Sequence, residues 1–140
     1  MGYAIVDLRF RQTEEWLPVV LLNHPNKPLW WVPGVTVESQ KALMEHAVKA
    51  ALTNDRHTLL GCDKDGRLAG FAELRYIEWD SAHFGFNVFR LENFAAWGNA
   101  DQVWRSSKLL IQAIIDGARQ DGARTIHTWL PMEAIRSVQI

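Results

Sequence analysis

Trp79-Asp80-Ser81-Ala82-His83-Phe84-Gly85-Phe86 separates two extended runs, Leu68 to Trp79 and Val88 to Ala96. The peptide is too rich in aromatic residues for an ordinary solvated loop, and Gly85 stands where the chain needs freedom in φ. Asp80 and Ser81 are residue types that cap a turn through side-chain to backbone hydrogen bonds. Beyond the second run a helix is expected from Asn99 to Gly122, followed by a strand from Thr125 to Leu130. Asn99 and Gln102 have capping-box spacing, and Asp101 sits where the helix dipole favours a negative charge. Leu109, Leu110, Ala113, Ile114 and Gly117 form one apolar stripe, widened by Ile111 and Ile115, against Arg105, Lys108, Gln112, Asp116 and Arg119 on the polar side. A strand, helix and strand in this order close as a right-handed crossover, so the Val88 and Thr125 strands are expected to be parallel neighbours.

Upstream, His57 to Cys62 reads as a strand that Asp63-Lys64-Asp65-Gly66 turns back onto the Leu68 run. Thr36 is a helix N-cap with Glu38 in the first turn, and Leu43, Met44, Ala47, Val48, Ala51 and Leu52 recur at helical spacing through Thr53. His46 in that helix is expected to be solvated or partly buried. Tyr3 to Phe10 alternates as a strand, and Gln12 to Leu22 reads as a short helix that Pro18 interrupts or bounds. Asn23 to Gly34 is a loop. Its Trp30 and Trp31 either cap one end of the core, or form a pocket wall or a subunit contact.

Composition narrows the class. The chain has 140 residues, 48% hydrophobic and 22% charged, which suits one domain spanning residues 1–140 with a substantial core. A net charge of −1 with the signs interspersed gives no footprint for nucleic acid or an anionic membrane. Cys62 is the single cysteine and no charged-then-apolar leader precedes Tyr3, so the expected compartment is the reducing cytoplasm. The longest apolar run, Trp16 to Leu22, is too short to span a bilayer. The dispersed histidines do not form a zinc site, and no metal is expected.

Strand, Trp-Asp-Ser-x-x-Phe-Gly, strand, long helix, strand and a further helix from Pro131 resembles the GNAT N-acetyltransferases over roughly residues 57–140, and within them the branch around TDP-fucosamine acetyltransferase. The resemblance implies an α/β fold, a GNAT-like mixed sheet flanked by three helices. It also implies transfer of an acyl group from acetyl-CoA to a small amine. Such a protein needs a pyrophosphate cradle, a splayed strand for the pantetheine arm, and a means of moving protons. By resemblance the arm lies along Phe89–Phe94, with Leu91, Asn93, Phe94, Gly98 and Asn99 binding the cofactor. Glu92, the interior acid of that strand, is the candidate base, against the plainer reading of an ion pair with Arg90 or Arg75. His83 is a second proton-transfer candidate, whereas His127 is expected to be a satisfied structural histidine.

The sequence also departs from the family pattern. Where the family carries Arg/Gln-x-x-Gly-x-Gly/Ala, this chain offers Asp101, Trp104 and Ser106, and Val138 stands at the position of the family's proton-donating tyrosine. The chain stops at Ile140, where the family continues into two more strands. The alternative function is therefore a non-catalytic binding or assembly module that has lost the pyrophosphate loop and the acid. An unprotected Thr125–Leu130 edge suggests a homodimer, unless Tyr3–Phe10 or the loop after it covers that edge within one chain.

Overall fold

The computed structural model describes residues 2–23 and 34–128. The loop containing Trp30 and Trp31, the helix expected from Pro131, and Val138 lie outside the described residues. Strands β1 (Tyr3–Asp7), β2 (Thr58–Lys64), β3 (Arg67–Tyr76), β4 (Asn87–Ala96) and β5 (Ala123–Thr128) form one sheet in the order β1-β2-β3-β4-β5. The first four are antiparallel, and β4 and β5 are the expected parallel pair. Helices α1 (Thr13–Asn23), α2 (Val37–Ala51), α3 (Glu78–Phe84) and α4 (Ala100–Gln120) complete the described chain, and α3 is the one that was not expected. Because β1 pairs with β2, it lies at the edge opposite β5 and does not cover β5.

The β2–β3 hairpin is closed by Asp65-Gly66, with φ of 51° and 85°. Two successive positive φ values define the hairpin turn whose twist matches its strands, and Asp-Gly is a favoured dipeptide for it. In α4, Asn99 Oδ1 accepts from Gln102 N–H and Gln102 Oε1 accepts from Asn99 N–H, which completes the capping box. The stripe that α4 buries is Ser106, Leu110, Ile114 and Ala118, at i, i+4 spacing, whereas Leu109 and Ile111 stay exposed.

Alternation does not carry β1 to Phe10. The strand stops at Asp7, whose carboxylate accepts from Arg9 N–H and starts a 3-10 turn that buries Leu8 and leaves Phe10 exposed. Nor does β3 reach Trp79, since Glu78 to Phe84 is the short helix α3. Its start has no side-chain cap, so Asp80 does not cap the turn. Ser81 anchors the helix instead. The buried hydroxyl donates to Ile77 C=O at 2.7 Å and accepts from Val88 N–H at 2.8 Å, and Gly85 at φ 75° ends the helix. Ser81→Ala would leave the Val88 donor without its acceptor, so an expected loss of about 1–3 kcal/mol should appear in urea unfolding.

Two cores flank the sheet. Leu8, Trp16, Leu17, Val20, Met44 and Val48 join Leu59 and Phe71 on the α1/α2 face, while Leu110, Ile114 and Ala118 of α4 join Cys62, Ala72, Leu74 and Phe89 on the other. Glu73 falls between Ala72 and Leu74, so strand alternation aims it at the α1/α2 face.

Candidate active site

The register of β3 and β4 slips at one place. Glu73 pairs with Asn93 while Leu74 pairs with Leu91, so Glu92 is the extra residue of a β-bulge. On its other side the described pairing of β4 with β5 runs from Asn87 to Leu91. Glu92 is therefore the bulge and lies next to the last described β4–β5 pair, Leu91 with Thr128. Among the described residues nothing pairs with that side of 92–96, on a strand that the bulge bends.

Around the bulge, Glu73 is fully buried. Its Oε1 accepts from Asn93 Nδ2 at 2.9 Å, and its Oε2 pairs with Arg75 at 3.0 Å. Arg90 donates through both Nε and Nη2 to Glu92 Oε1. The sequence alternative of an ion pair is thus present, within one strand and to Arg90, while Glu92 Oε2 has no hydrogen-bond partner among the described residues. The charges of Arg75, Arg9 and Glu92 act on His57, whose Nδ1 is buried without a hydrogen-bond partner among the described residues.

Burial pushes the Glu73 carboxyl above the usual glutamate range, with the neighbouring Glu92 acting the same way and Asn93 and Arg75 opposing it. The His57 imidazolium is disfavoured by burial first and then by the Arg75 and Arg9 charges, against the opposite pull of Glu92. Folded Glu73 holds its proton to higher pH than the unfolded chain does, so stability falls as pH rises from the ordinary glutamate range into the raised one. His57 acts in the opposite sense. The folded chain gives up that proton first, so stability rises with pH until the ordinary histidine value is passed. Thermal unfolding of Glu73→Gln against the parent from pH 4 to 8 should show the acidic-range fall in the parent only, and His57→Gln should remove the rise just below neutrality.

The residues beside the bulge fit an extended, amide-bearing arm better than a diphosphate. The edge from Glu92 to Ala96 offers the strand contact such an arm needs, and Phe94 packs toward the α4 core. At the start of α4, Gly98 has φ 113° and leaves no room for a Cβ beside Gln102, and the capping box uses the Asn99 and Gln102 amides. Only the Ala100 and Asp101 amides stay open there among the described residues, and the Asp101 carboxylate, paired with Arg105, stands beside them. This helix start satisfies itself, as a phosphate cradle does not.

The structure gathers Glu92, Asn93 and Leu91 at the bulge. His83 lies on α3, exposed and stacked flat on Trp79 with ring centroids 5.0 Å apart, and the hydrogen bonds and ion pairs around Glu92 do not include it. His127 is not a satisfied structural histidine. It is exposed, opposite Arg90 in the ladder, and with Arg90, Ile77, Asp80 and Thr128 it lines a pocket of about 240 Å³. Sequence reasoning missed Glu73, although its place one residue out of step with apolar neighbours on both sides in β3 was a usable signal. Among the described residues no three His, Cys, Asp or Glu side chains gather as a metal site, and no helix is long and apolar enough to cross a membrane.

No family model matches the sequence, and no curated protein matches it. Solved structures do match the fold. A ribosomal-protein-alanine N-acetyltransferase from Brucella melitensis biovar Abortus 2308 superposes with a TM-score of 0.66 at 17% identity, over 99% of this chain and 88% of that one. Glucosamine-6-phosphate N-acetyltransferase from Arabidopsis thaliana gives 0.60 at 12% identity, over 99% and 89%. A GNAT family acetyltransferase from Staphylococcus aureus gives 0.57 at 12% identity, over 91% and 85%. With its five-stranded mixed sheet, flanking helices and a bulged β4 set beside a parallel β5, the chain has the GNAT N-acyltransferase fold.

Proposed function

We propose that the protein is an acyl-CoA-dependent N-acyltransferase acting on a small amine. One observation carries the reading: among the described residues the unpaired side of β4 starts at Glu92, and one Glu92 carboxylate oxygen has no partner. The donor, when bound, supplies a thioester whose C–S bond is exchanged for a C–N bond to the amine. Backbone groups from Glu92 to Ala96 hold the donor's amide arm. Arg90 fixes Glu92 through Oε1, which leaves Oε2 to take the proton that the ammonium group must lose. Within that class, the Trp79–Gly85 peptide supports the narrower likeness to TDP-fucosamine acetyltransferase, and the single cysteine supports a reducing cytoplasmic setting.

Thiol release from acetyl-CoA in the presence of a panel of primary amines tests the activity. Saturable release that needs both substrates is the expected result. No release together with acetyl-CoA stabilisation in thermal unfolding would instead identify a binding module that lacks chemistry. The same reading includes a homodimer formed through the outer edge of β5, which is unpaired among the described residues. Light scattering at micromolar concentration should give twice the chain mass, and Thr128→Lys should return the protein to a monomer. A monomeric parent would contradict the dimer.

A further inference from the structure

Ladder register places arginine and histidine side chains in a row across the α1/α2 face. Arg75 of β3 pairs with Arg90 of β4, Arg90 pairs with His127 of β5, and His57 precedes Thr58, which pairs with Leu74 beside Arg75. The next row, toward the bulge, holds the carboxylates Glu73 and Glu92. The 240 Å³ pocket opens where this row meets β5, and Arg90, His127 and Asp80 all line it.

Two features make this pocket a receptor rather than a closed salt-bridge network. Arg90 spends Nε and Nη2 on Glu92 Oε1, so Nη1 faces no partner among the described residues, and the His127 ring makes no hydrogen bond there. A guanidinium presents donors in a fork suited to a carboxylate or phosphate, and here it is held rigid by the carboxylate that is to act as base. A pocket walled by one guanidinium, one imidazole and one carboxylate matches a molecule that carries both signs. A simple amine would leave Arg90 and His127 unanswered, and a simple anion would face Asp80.

We propose that the acceptor is an amine bearing an anionic group, carboxylate or phosphate, near its nitrogen, and that Arg90 with His127 binds that group while the nitrogen points toward Glu92. This inference rests on the acyl-transfer reading for its function, but binding can be measured with no acyl donor, so the two fail separately. Amide NMR titration of the full chain with β-alanine, O-phosphoethanolamine, ethanolamine and propionate is the test. At least one of the two anionic amines should bind about tenfold tighter than ethanolamine or propionate, a difference of roughly 1.4 kcal/mol. Which of the two binds better identifies carboxylate or phosphate. Arg90→Gln should abolish the preference, and His127→Gln, on an exposed ring, should reduce it several-fold without altering the fold. Equal binding of ethanolamine, no binding of either anionic amine at tens of millimolar, or a preference that survives both substitutions would overturn the proposal.

Discussion

Glu92→Gln is expected to lower kcat for thiol release by about 10²–10⁴-fold, the range a positioned proton acceptor contributes, while KM for the amine changes little. The amide keeps the shape of the side chain and an oxygen for Arg90 to donate to, so the bulge and the melting temperature should survive. What is lost is the oxygen that can take a proton. Glu73→Gln should behave differently, because both Glu73 oxygens are already engaged, by Asn93 and by Arg75. Its effect on kcat should be the smaller one, felt through the position of Asn93. If Glu92→Gln kept full kcat while Glu73→Gln lost it, the proton would leave by Glu73 and the role given to Glu92 would be wrong.

The largest stability effect is expected from Phe71→Ala. Phe71 is fully buried in the middle of β3 and stacks on Trp16 of α1 at 6.0 Å between ring centroids, so it ties the sheet to the helical layer above the polar site. Removing a buried phenylalanine costs about 3–5 kcal/mol through lost transfer energy and the remaining cavity. For a chain of this size that corresponds to a fall of roughly 10–15 °C in Tm, and it is a large share of the ~5–15 kcal/mol that holds most domains folded. A fall of only a degree or two would mean that α1 does not rest on β3 through this contact.

Elements whose signals are local were legible in the sequence. The Asn99 and Gln102 capping box, the Thr36 N-cap and the Asp65-Gly66 turn each satisfy their own backbone groups within a few residues, and all three are present. The parallel β4–β5 pair followed from the handedness of crossovers, which depends on chain order alone. Helix α3 was hidden because it has no side-chain cap, and its reason to form is Ser81 reaching Val88, a contact made only when β4 is in place.

At the site, Glu92 could be singled out as the acid of its strand. The bulge could not be read, because neither glycine nor proline marks it. Glu73 was obscured because its depth depends on α1 and α2 covering that face, and the exposure of His127 depends on what lies over the end of β5. The partner of Glu92 was legible as a choice between two arginines. The hydrogen bond of Asn93 to Glu73 decided it, since the bulge that sets these two side by side places Glu73 with Arg75 and leaves Arg90 for Glu92.

The central claim is that the strand edge beginning at Glu92 receives an acyl donor. Titrating isotopically labelled protein with acetyl-CoA, and following each backbone amide by NMR, examines that edge directly. Saturable shifts are expected on the amides of 92–96, with smaller ones at Ala100 and Asp101 and none along β1 or the outer face of α2. Amides of 92–96 that stay unmoved at millimolar acetyl-CoA, or shifts confined to another face of the sheet, would contradict it.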